Sequence, residues 1–401
     1  VLIYCFAERY PDPYKPYLDT QLAYLLRESH RVQVFAEGRY ERDRVGLSTE
    51  LLNLEEKTQY YPSTLKTLPR FFGNACIATI KSPLASLKNL YRTIDGSASF
   101  KKNLMSAARA LVLPTAEPDV CLIHNLATME KLTFLKQLYP GSKVVMYYHG
   151  GELPRQQFIR DEKNIFDSTD KVFTCTRYSL DHAVKRGCPS EKIFISPVGF
   201  ELNNYPVDEN KFYRKDEVLR MVSIGRFSQE KGFIFALQAI HSLVKEGHTN
   251  IHYTLIGDGY LKRELIDYVH TNGLEGYVEF AGEMPYAKVI ETLSKMDLLV
   301  LPSITTERCA ENQACVVQEA LLMRLLVIST KVGGVQESIC DELTLFSVEE
   351  QDSAGIASMI KLVLGFSQSK FRTYADRGRE FAINKYSISK VTQQLLQQSI
   401  G

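Results

Sequence analysis

The 401-residue chain is short of the signatures that usually announce a chemistry. Its eight cysteines are scattered and form no C-x-x-C pair, so neither a zinc ribbon nor a disulfide framework is expected and reduced thiols fit best. Neither sign of charge dominates. There are 48 Lys plus Arg against 47 Asp plus Glu, a net charge of +1, without the basic excess of a dedicated nucleic-acid binder. No apolar run reaches the ~20 residues that span a bilayer. The chain opens at Val1 inside a short apolar run that does not have the form of a signal peptide, so a cytoplasmic location is expected. The P-loop pattern G-x-x-x-x-G-K-[ST], the H-E-x-x-H zinc motif, the G-x-S-x-G elbow and the G-x-G-x-x-G dinucleotide fingerprint are all missing. The last absence argues against a nicotinamide dehydrogenase. There is no solenoid repeat of roughly 20–50 residues.

What is present is alternation. Short apolar runs at 1–6, 32–36, 120–124, 143–148, 171–175 and 193–196 are mostly separated by helical patterns. One of these, at about 17–27, puts Leu18, Leu22, Leu25 and Leu26 on one face. The second half repeats the theme with runs at 220–225, 252–257, 278–281, 298–301 and 326–329. Between them lie helical segments near 233–245, 261–271, 287–295 and 314–323. Such alternation predicts βαβ units and parallel sheets buried on both faces. With 45% hydrophobic and 24% charged residues, the chain is an ordinary globular one, and the length suits two or three domains. The polar stretch 198–217, with Asn203, Asn204 and Pro206, is the expected linker between two α/β domains.

Residues 66–110 break the pattern. They carry Lys66, Arg70, Lys81, Lys88, Arg92, Lys101, Lys102 and Arg109 against one acid, Asp95. Apolar residues such as Phe71, Ile77, Leu84, Leu90 and Tyr91 interleave with these charges. A basic amphipathic stretch suits an anionic membrane surface. The alternative is a helical insertion whose apolar face packs on its own domain.

Open α/β sheets bind ligands beyond the carboxyl ends of their strands, so the residues after each predicted strand carry most of the functional information. Four places stand out. The stretch 225–232 reads Gly-Arg-Phe-Ser-Gln-Glu-Lys-Gly and opens a helix. Gly225 permits a tight turn, while Arg226 and Lys231 suit phosphate oxygens beside a helix N-terminus. Glu311 and Glu319 lie eight apart, which on one helix would put them about two turns apart near one face, as ligands for sugar hydroxyls. His149, before Gly150-Gly151-Glu152, ends a predicted strand. Gly257-Asp258-Gly259, and Gly333-Gly334 with Glu337, read mainly as turns able to bring backbone close to a ligand. The D-x-D triplet that usually holds a metal on a nucleotide-sugar diphosphate is missing too, so any diphosphate would be neutralised by Arg, Lys and helix ends.

The ordered set Ser223-Ile224-Gly225-Arg226-Phe227, Lys231-Gly232, Gly257-Asp258-Gly259, Leu301-Pro302-Ser303, Glu311 through Glu319 and Gly333-Gly334…Glu337 resembles the retaining GT-B glycosyltransferases of family 4. Glu311 and Glu319 match that family's E-x(7)-E motif. The segment Val198-Gly199-Phe200-Glu201 partly matches its Asn-Gly-Val-Asp. Two positions depart from the family. Residues 8–16 hold three prolines and no glycine where a Gly-rich loop is common, as in exopolysaccharide and colanic-acid-type transferases. Asn312 and Ala314 stand where Gly, and Gly or Pro, are usual.

The resemblance implies a GT-B fold, with two Rossmann-like, doubly wound domains facing a cleft. The first would span 1–198, the second 199–380, and a tail at 381–401 would cross back to the first. It implies that Arg226 and Lys231 bind the donor diphosphate, with Gly225 and Gly257 in the same loops. Glu319 would hold the ribose. Glu311 would contact the donor sugar with help from the backbone of Asn312 and Gln313, and His149 would lie beside that sugar. The implied activity is metal-independent transfer, without cofactor, of a hexosyl group with retention. The expected donor is a nucleotide-diphosphate sugar, UDP before GDP. The expected acceptor is a glycan or lipid-linked oligosaccharide of exopolysaccharide synthesis, met at the inner face of the plasma membrane. A nucleotide-sugar epimerase of the same fold and a non-catalytic nucleotide-sugar-binding protein are the rival readings.

Overall fold

A computed structural model describes the chain apart from residues 13–15, 40–48, 65, 72–89, 94–98, 150–161, 208–211, 216, 308–309, 340–344 and 401, with the backbone alone at 49–50, 52, 70–71 and 345–346. Two compact α/β units emerge. The first comprises 1–175, 179–199 and 388–401, and the second 176–178 and 200–387. Each is built on one wholly parallel sheet, the expected architecture.

The first sheet contains β1 (Leu2–Arg9), β2 (Arg31–Gly38), β3 (Gln59–Tyr60), β4 (Val120–Ile123), β5 (Lys143–Tyr148), β6 (Lys171–Thr174) and β7 (Ile193–Ile195). Its order is β3-β2-β1-β4-β5-β6-β7. The strand order reverses between β1 and β4, which pair in parallel from Ile3 with Val120 to Phe6 with Ile123. The helix Ile388–Ile400 belongs to this unit. It buries Ile388, Val391, Thr392, Leu395 and Ser399, the i, i+3, i+4 spacing of a one-faced helix. Leu395 packs among Ile3, Leu25, Val120, Leu122, Val145, Tyr147 and Phe173, and Gln393 donates to the Tyr24 hydroxyl at 3.2 Å.

The second sheet contains β8 (Leu219–Ile224), β9 (Ile251–Ile256), β10 (Val278–Gly282), β11 (Leu298–Leu301), β12 (Leu326–Thr330) and β13 (Leu345–Val348). Its order is β10-β9-β8-β11-β12-β13, reversing between β8 and β11. All of β11 and β12 is buried, so their near-continuous apolar sequences reflect helices on both faces. Helix Phe233–Lys245 supplies one cover through Phe233, Ala236, Leu237, Ile240 and Leu243, each buried. It ends where Gly247 turns the chain and His248 N–H returns to the Leu243 carbonyl at 3.0 Å. Each such buried Leu or Ile contributes about 2 kcal/mol through removal from water.

Much of the basic segment 66–110 lies outside the described residues. Within them, Ser99 caps the helix Phe100–Val112. Arg109 is buried and gives its guanidinium to the carbonyls of Pro62, Ser63 and Lys131 at 3.0–3.1 Å. Arg92 donates to the Leu138 carbonyl at 3.1 Å. Arg109 is thus withdrawn from the surface, while Arg92 is half-buried. Lys101 is exposed, and beside it Phe100 is 83% exposed and Leu104 39%. No helix of the described residues is long and apolar enough to cross a membrane.

Removing the Leu395 side chain would leave a cavity under the first sheet. Leu395→Ala is expected to cost about 2–4 kcal/mol, read as a lower denaturant midpoint at unchanged slope in urea unfolding.

Candidate active site

The reversal between β8 and β11 sends adjacent chain connections to opposite faces of the second sheet and opens a crevice at its carboxyl edge. Four loops meet there. The loop after β8 starts at Gly225, whose N–H donates to the Ile256 carbonyl at 3.0 Å, and runs through a 3-10 turn at Gln229–Lys231. The loop after β9 lies against it. Gly257 has φ +139°, and a Cβ there would stand 2.0 Å from the Gly225 carbonyl oxygen. Phe227 N–H donates to the Asp258 carbonyl at 2.8 Å, and Gln229 N–H to the Tyr260 hydroxyl at 2.9 Å. Only a glycine fits Gly257, because the two loops touch backbone to backbone.

The loop after β11 brings Glu311 to Lys231. The Lys231 ammonium donates to Glu311 Oε1, and Ser303 Oγ donates to the same oxygen at 3.1 Å. Both charged side chains are largely covered, 23% and 15% exposed. Glu311 is also held by its backbone. Its carbonyl accepts the Gly334 N–H at 2.9 Å, and at Gly333, φ +49°, a Cβ would meet that carbonyl oxygen at 2.0 Å. The fourth loop, after β12, is thereby the backing of Glu311.

The helical spacing expected for Glu311 and Glu319 is not what joins them to the site. The helix runs from Cys315 to Leu322, preceded by Ala314 in extended backbone. Glu311 stands four residues before that helix, held by loop contacts, so only Glu319 is helical. The backbone bond from Gly334 and the close approach of Gly333 keep 311–314 out of the helix. Arg226 is exposed in the β8 loop, Asn312 is buried and Gln313 half-buried. Lys231, Glu311, Gly225 and Gly257 are thus brought together, 86 residues apart at their extremes (225 to 311).

Glu319 has partners of its own. It is buried, and the Tyr286 hydroxyl donates to its Oε1 at 2.9 Å. Tyr286 in turn lies 2.6 Å, oxygen to oxygen, from the Tyr205 hydroxyl. Burial pushes the Glu319 carboxyl up to about 7, against a smaller downward pull from the Tyr286 bond. Burial and the neighbouring Glu319 together push the Tyr286 phenol well above its ordinary value.

His149 belongs to the first unit, just past β5. Its ring stacks on Tyr147 at 5.3 Å and 9°, Tyr17 approaches it at 5.3 Å, and its Nδ1 lies 3.7 Å from Cys175 Sγ. His124, past β4, stacks on Tyr147 as well. The cavity these rings border, about 20 Å³, is about the size of one water. Gly150, Gly151 and Glu152 lie outside the described residues.

Several groups escaped the sequence reading. Tyr205, Tyr286 and Ser303 carry no local signal, since their value comes from what long-range packing puts beside them. Asp19 lies in the first turn of the helix Pro16–Arg27, after β1, and burial with Asp12 nearby pushes its carboxyl up to about 7. Its neighbourhood showed only as a proline-rich loop.

A Lys–Glu pair, an exposed Arg and close glycine turns thus gather at a strand-order reversal, the place where open α/β sheets meet their ligands. Residues 206–377 match the family of glycosyl transferases group 1. The chain is 26% identical over 283 residues to the amylovoran biosynthesis glycosyltransferase AmsK of Erwinia amylovora, covering 69% of this chain and 68% of that protein. It is 22% identical over 404 residues to the putative colanic acid biosynthesis glycosyltransferase WcaL of Salmonella typhimurium, with 97% of each chain covered. Among solved structures, Anabaena HepE in complex with UDP superposes with a TM-score of 0.71 at 16% identity, covering 99% of this chain and 98% of that one. The fold is GT-B, and the chain is a glycosyltransferase whose residues 206–377 match the group 1 model.

Glu319 also carries a pH signature. Its folded-state value near 7 exceeds the ordinary 4.5. The native state therefore binds more protons than the unfolded state between those values, and stability falls as pH rises through that window. Glu319→Gln removes the titration. Its melting temperature should match wild type below about pH 4.5 and exceed it increasingly up to about pH 7, with a constant gap above. A gap independent of pH would contradict the shift.

Proposed function

We propose that the chain transfers a hexosyl group, with retention and without a metal, from a UDP-sugar to a glycan or lipid-linked acceptor in exopolysaccharide synthesis. The observation that carries this reading is the Lys231–Glu311 pair at the reversal between β8 and β11, bordered by the Gly225 and Gly257 turns. The two polysaccharide-synthesis names among the relatives support the acceptor class, and the UDP held by HepE supports the base.

On this reading the pair is exchanged when donor binds. The diphosphate takes the Lys231 ammonium, with Arg226 alongside, and the released Glu311 carboxylate accepts from the sugar's hydroxyls. The backbone of Asn312 and Gln313 adds further donors. As the bond from the sugar's anomeric carbon to the diphosphate breaks, charge grows on the leaving oxygen, where Lys231 and Arg226 already stand. The acceptor oxygen bonds to the same face of that carbon, and its proton passes to the departing phosphate. The missing D-x-D triplet supports a diphosphate neutralised by side chains. Glu319, buried in its helix, is the ribose ligand.

Calorimetric titration with UDP, GDP and ADP in the presence of EDTA tests this directly. Wild type should prefer UDP, and Lys231→Ala should weaken it by about tenfold or more, the worth of a charge-assisted bond. Unchanged affinity in the variant would remove Lys231 from the phosphate site, and a strict requirement for divalent metal would overturn the metal-free reading. Conversion of UDP-sugar without an acceptor product would favour an epimerase.

The exposed Phe100, Lys101 and Leu104 at the start of one helix, with Tyr91 82% exposed nearby in sequence, support peripheral contact with an anionic membrane. Cosedimentation with phosphatidylglycerol vesicles should exceed that with phosphatidylcholine and fall in a Phe100→Ser, Leu104→Ser double variant. Equal, low binding to both vesicle types would remove the membrane from this reading.

A further inference from the structure

Three residues distant in sequence form one hydrogen-bonded chain inside the second unit. Tyr286 spends its only proton on Glu319 Oε1, 2.9 Å away. With Glu319 ionised, the 2.6 Å contact between the Tyr286 and Tyr205 oxygens has Tyr205 as the donor. In that state the chain runs one way: Tyr205 hydroxyl to Tyr286 oxygen, Tyr286 hydroxyl to Glu319 carboxylate. Bonds in such a chain polarise one another, so the last one, onto the carboxylate, is strengthened by the first.

Each member is anchored by its own element. Tyr205 follows the 3-10 turn Leu202–Asn204, and its carbonyl accepts from Arg379 of the helix Gln368–Tyr386 at 3.4 Å. Its ring meets Phe200 edge to face at 6.0 Å. Tyr286 is the first residue of the helix Tyr286–Leu293, directly after Pro285. Glu319 lies in the middle of the helix Cys315–Leu322. Tyr205 is buried, whereas Tyr286 is 37% exposed although its hydroxyl is engaged inside. A relay that served packing alone would be better made of apolar side chains, since two phenols and a carboxylate are costly to bury.

We propose that Tyr286, held by Tyr205, is the positioning residue for Glu319, occupying one carboxylate lone pair so that the others face the two ribose hydroxyls of the donor. This inference rests on the proposed role of Glu319 as ribose ligand. A carboxylate has about four acceptor sites. With one fixed by the phenol, the carboxylate can no longer rotate, and a ribose cis-diol meets acceptors already aimed. The phenol is thus a determinant of ribose over deoxyribose.

Ionisation is part of the same device. Burial disfavours the charged carboxylate, and the Tyr286 bond favours it. Around Glu319 stand Tyr286 from its helix, Tyr205 from the 3-10 turn and Cys315 one turn earlier on its own helix. Arg379 donates to the carbonyls of Tyr205 and Leu322. The strands β11 and β12 beneath bring no ionisable side chain. Tyr286 is therefore the group whose loss would move the Glu319 ionisation, and in an upward direction.

The test is calorimetric binding of UDP and of 2′,3′-dideoxy-UDP to wild type, Tyr286→Phe and Tyr205→Phe, with EDTA, between pH 6.5 and 9. The phosphate ionisation of the ligand is common to all three proteins and cancels in the comparison. Wild type should bind UDP more tightly than the dideoxy compound. Tyr286→Phe should lose about tenfold in UDP affinity at pH 7, keep its affinity for the dideoxy compound and shift the pH midpoint for UDP upward. Tyr205→Phe should move the same two quantities in the same direction by less. A folded Tyr286→Phe with wild-type ribose selectivity and pH midpoint would overturn the inference while leaving Glu319 as the ribose ligand. A wild type that does not distinguish the two nucleotides, or binds neither, would overturn the role of Glu319 itself. Should Tyr286→Phe fail to fold, Tyr205→Phe decides between the same outcomes.

Discussion

The ion pair between Lys231 and Glu311 joins the loop after β8 to the loop after β11, across the point where the second sheet reverses its order. Both partners are mostly shielded from water, so neither can remain charged at low cost without the other. The neighbouring contacts make that meeting possible. The Gly257 turn is pressed on Gly225, the Ile304 N–H donates to the Glu230 carbonyl at 2.9 Å, and the Gly333-Gly334 loop holds the Glu311 backbone. The carboxyl edge of this sheet is therefore a preassembled set of loops, not four independent ones.

That arrangement separates two kinds of carboxylate. Glu311 is half-buried and met by an ammonium and a hydroxyl. Glu319 is enclosed, with a phenol as its donor and, among the described residues, no ion pair, and its affinity for a proton rises accordingly. One motif in the sequence thus supplies two groups with different chemistry, and the difference comes from what each finds in its surroundings.

Energetically the site sits on a conventional base. The buried strands β8, β11 and β12 and the apolar face of helix Phe233–Lys245 hold the loops by ordinary burial of Leu, Ile and Val. One polar position inside the sheet also ties strands together. Ser223 bonds to the Val300 carbonyl and lies 2.6 Å from the Tyr253 hydroxyl, tying β8 to both neighbours. The scaffold is stiff where the loops leave it, which is what a preorganised site requires.

The alternation of apolar runs and amphipathic helices already determined two parallel α/β units, because a strand buried on both faces and a one-faced helix leave distinct periods in the chain. The local signs of the site were legible for the same reason. Gly225, Gly257, Lys231 and Glu311 each follow a strand, where ligands of such folds are met. What the sequence could not contain was the pairing. That Glu311 stands before its helix and faces Lys231, that Arg109 and Arg92 are spent on carbonyls, and that Tyr205 and Tyr286 line up behind Glu319 were decided by tertiary structure alone. Hydrogen bonds and ion pairs between residues tens of positions apart depend on the directions in which whole elements pack, and no local pattern of residues encodes those directions.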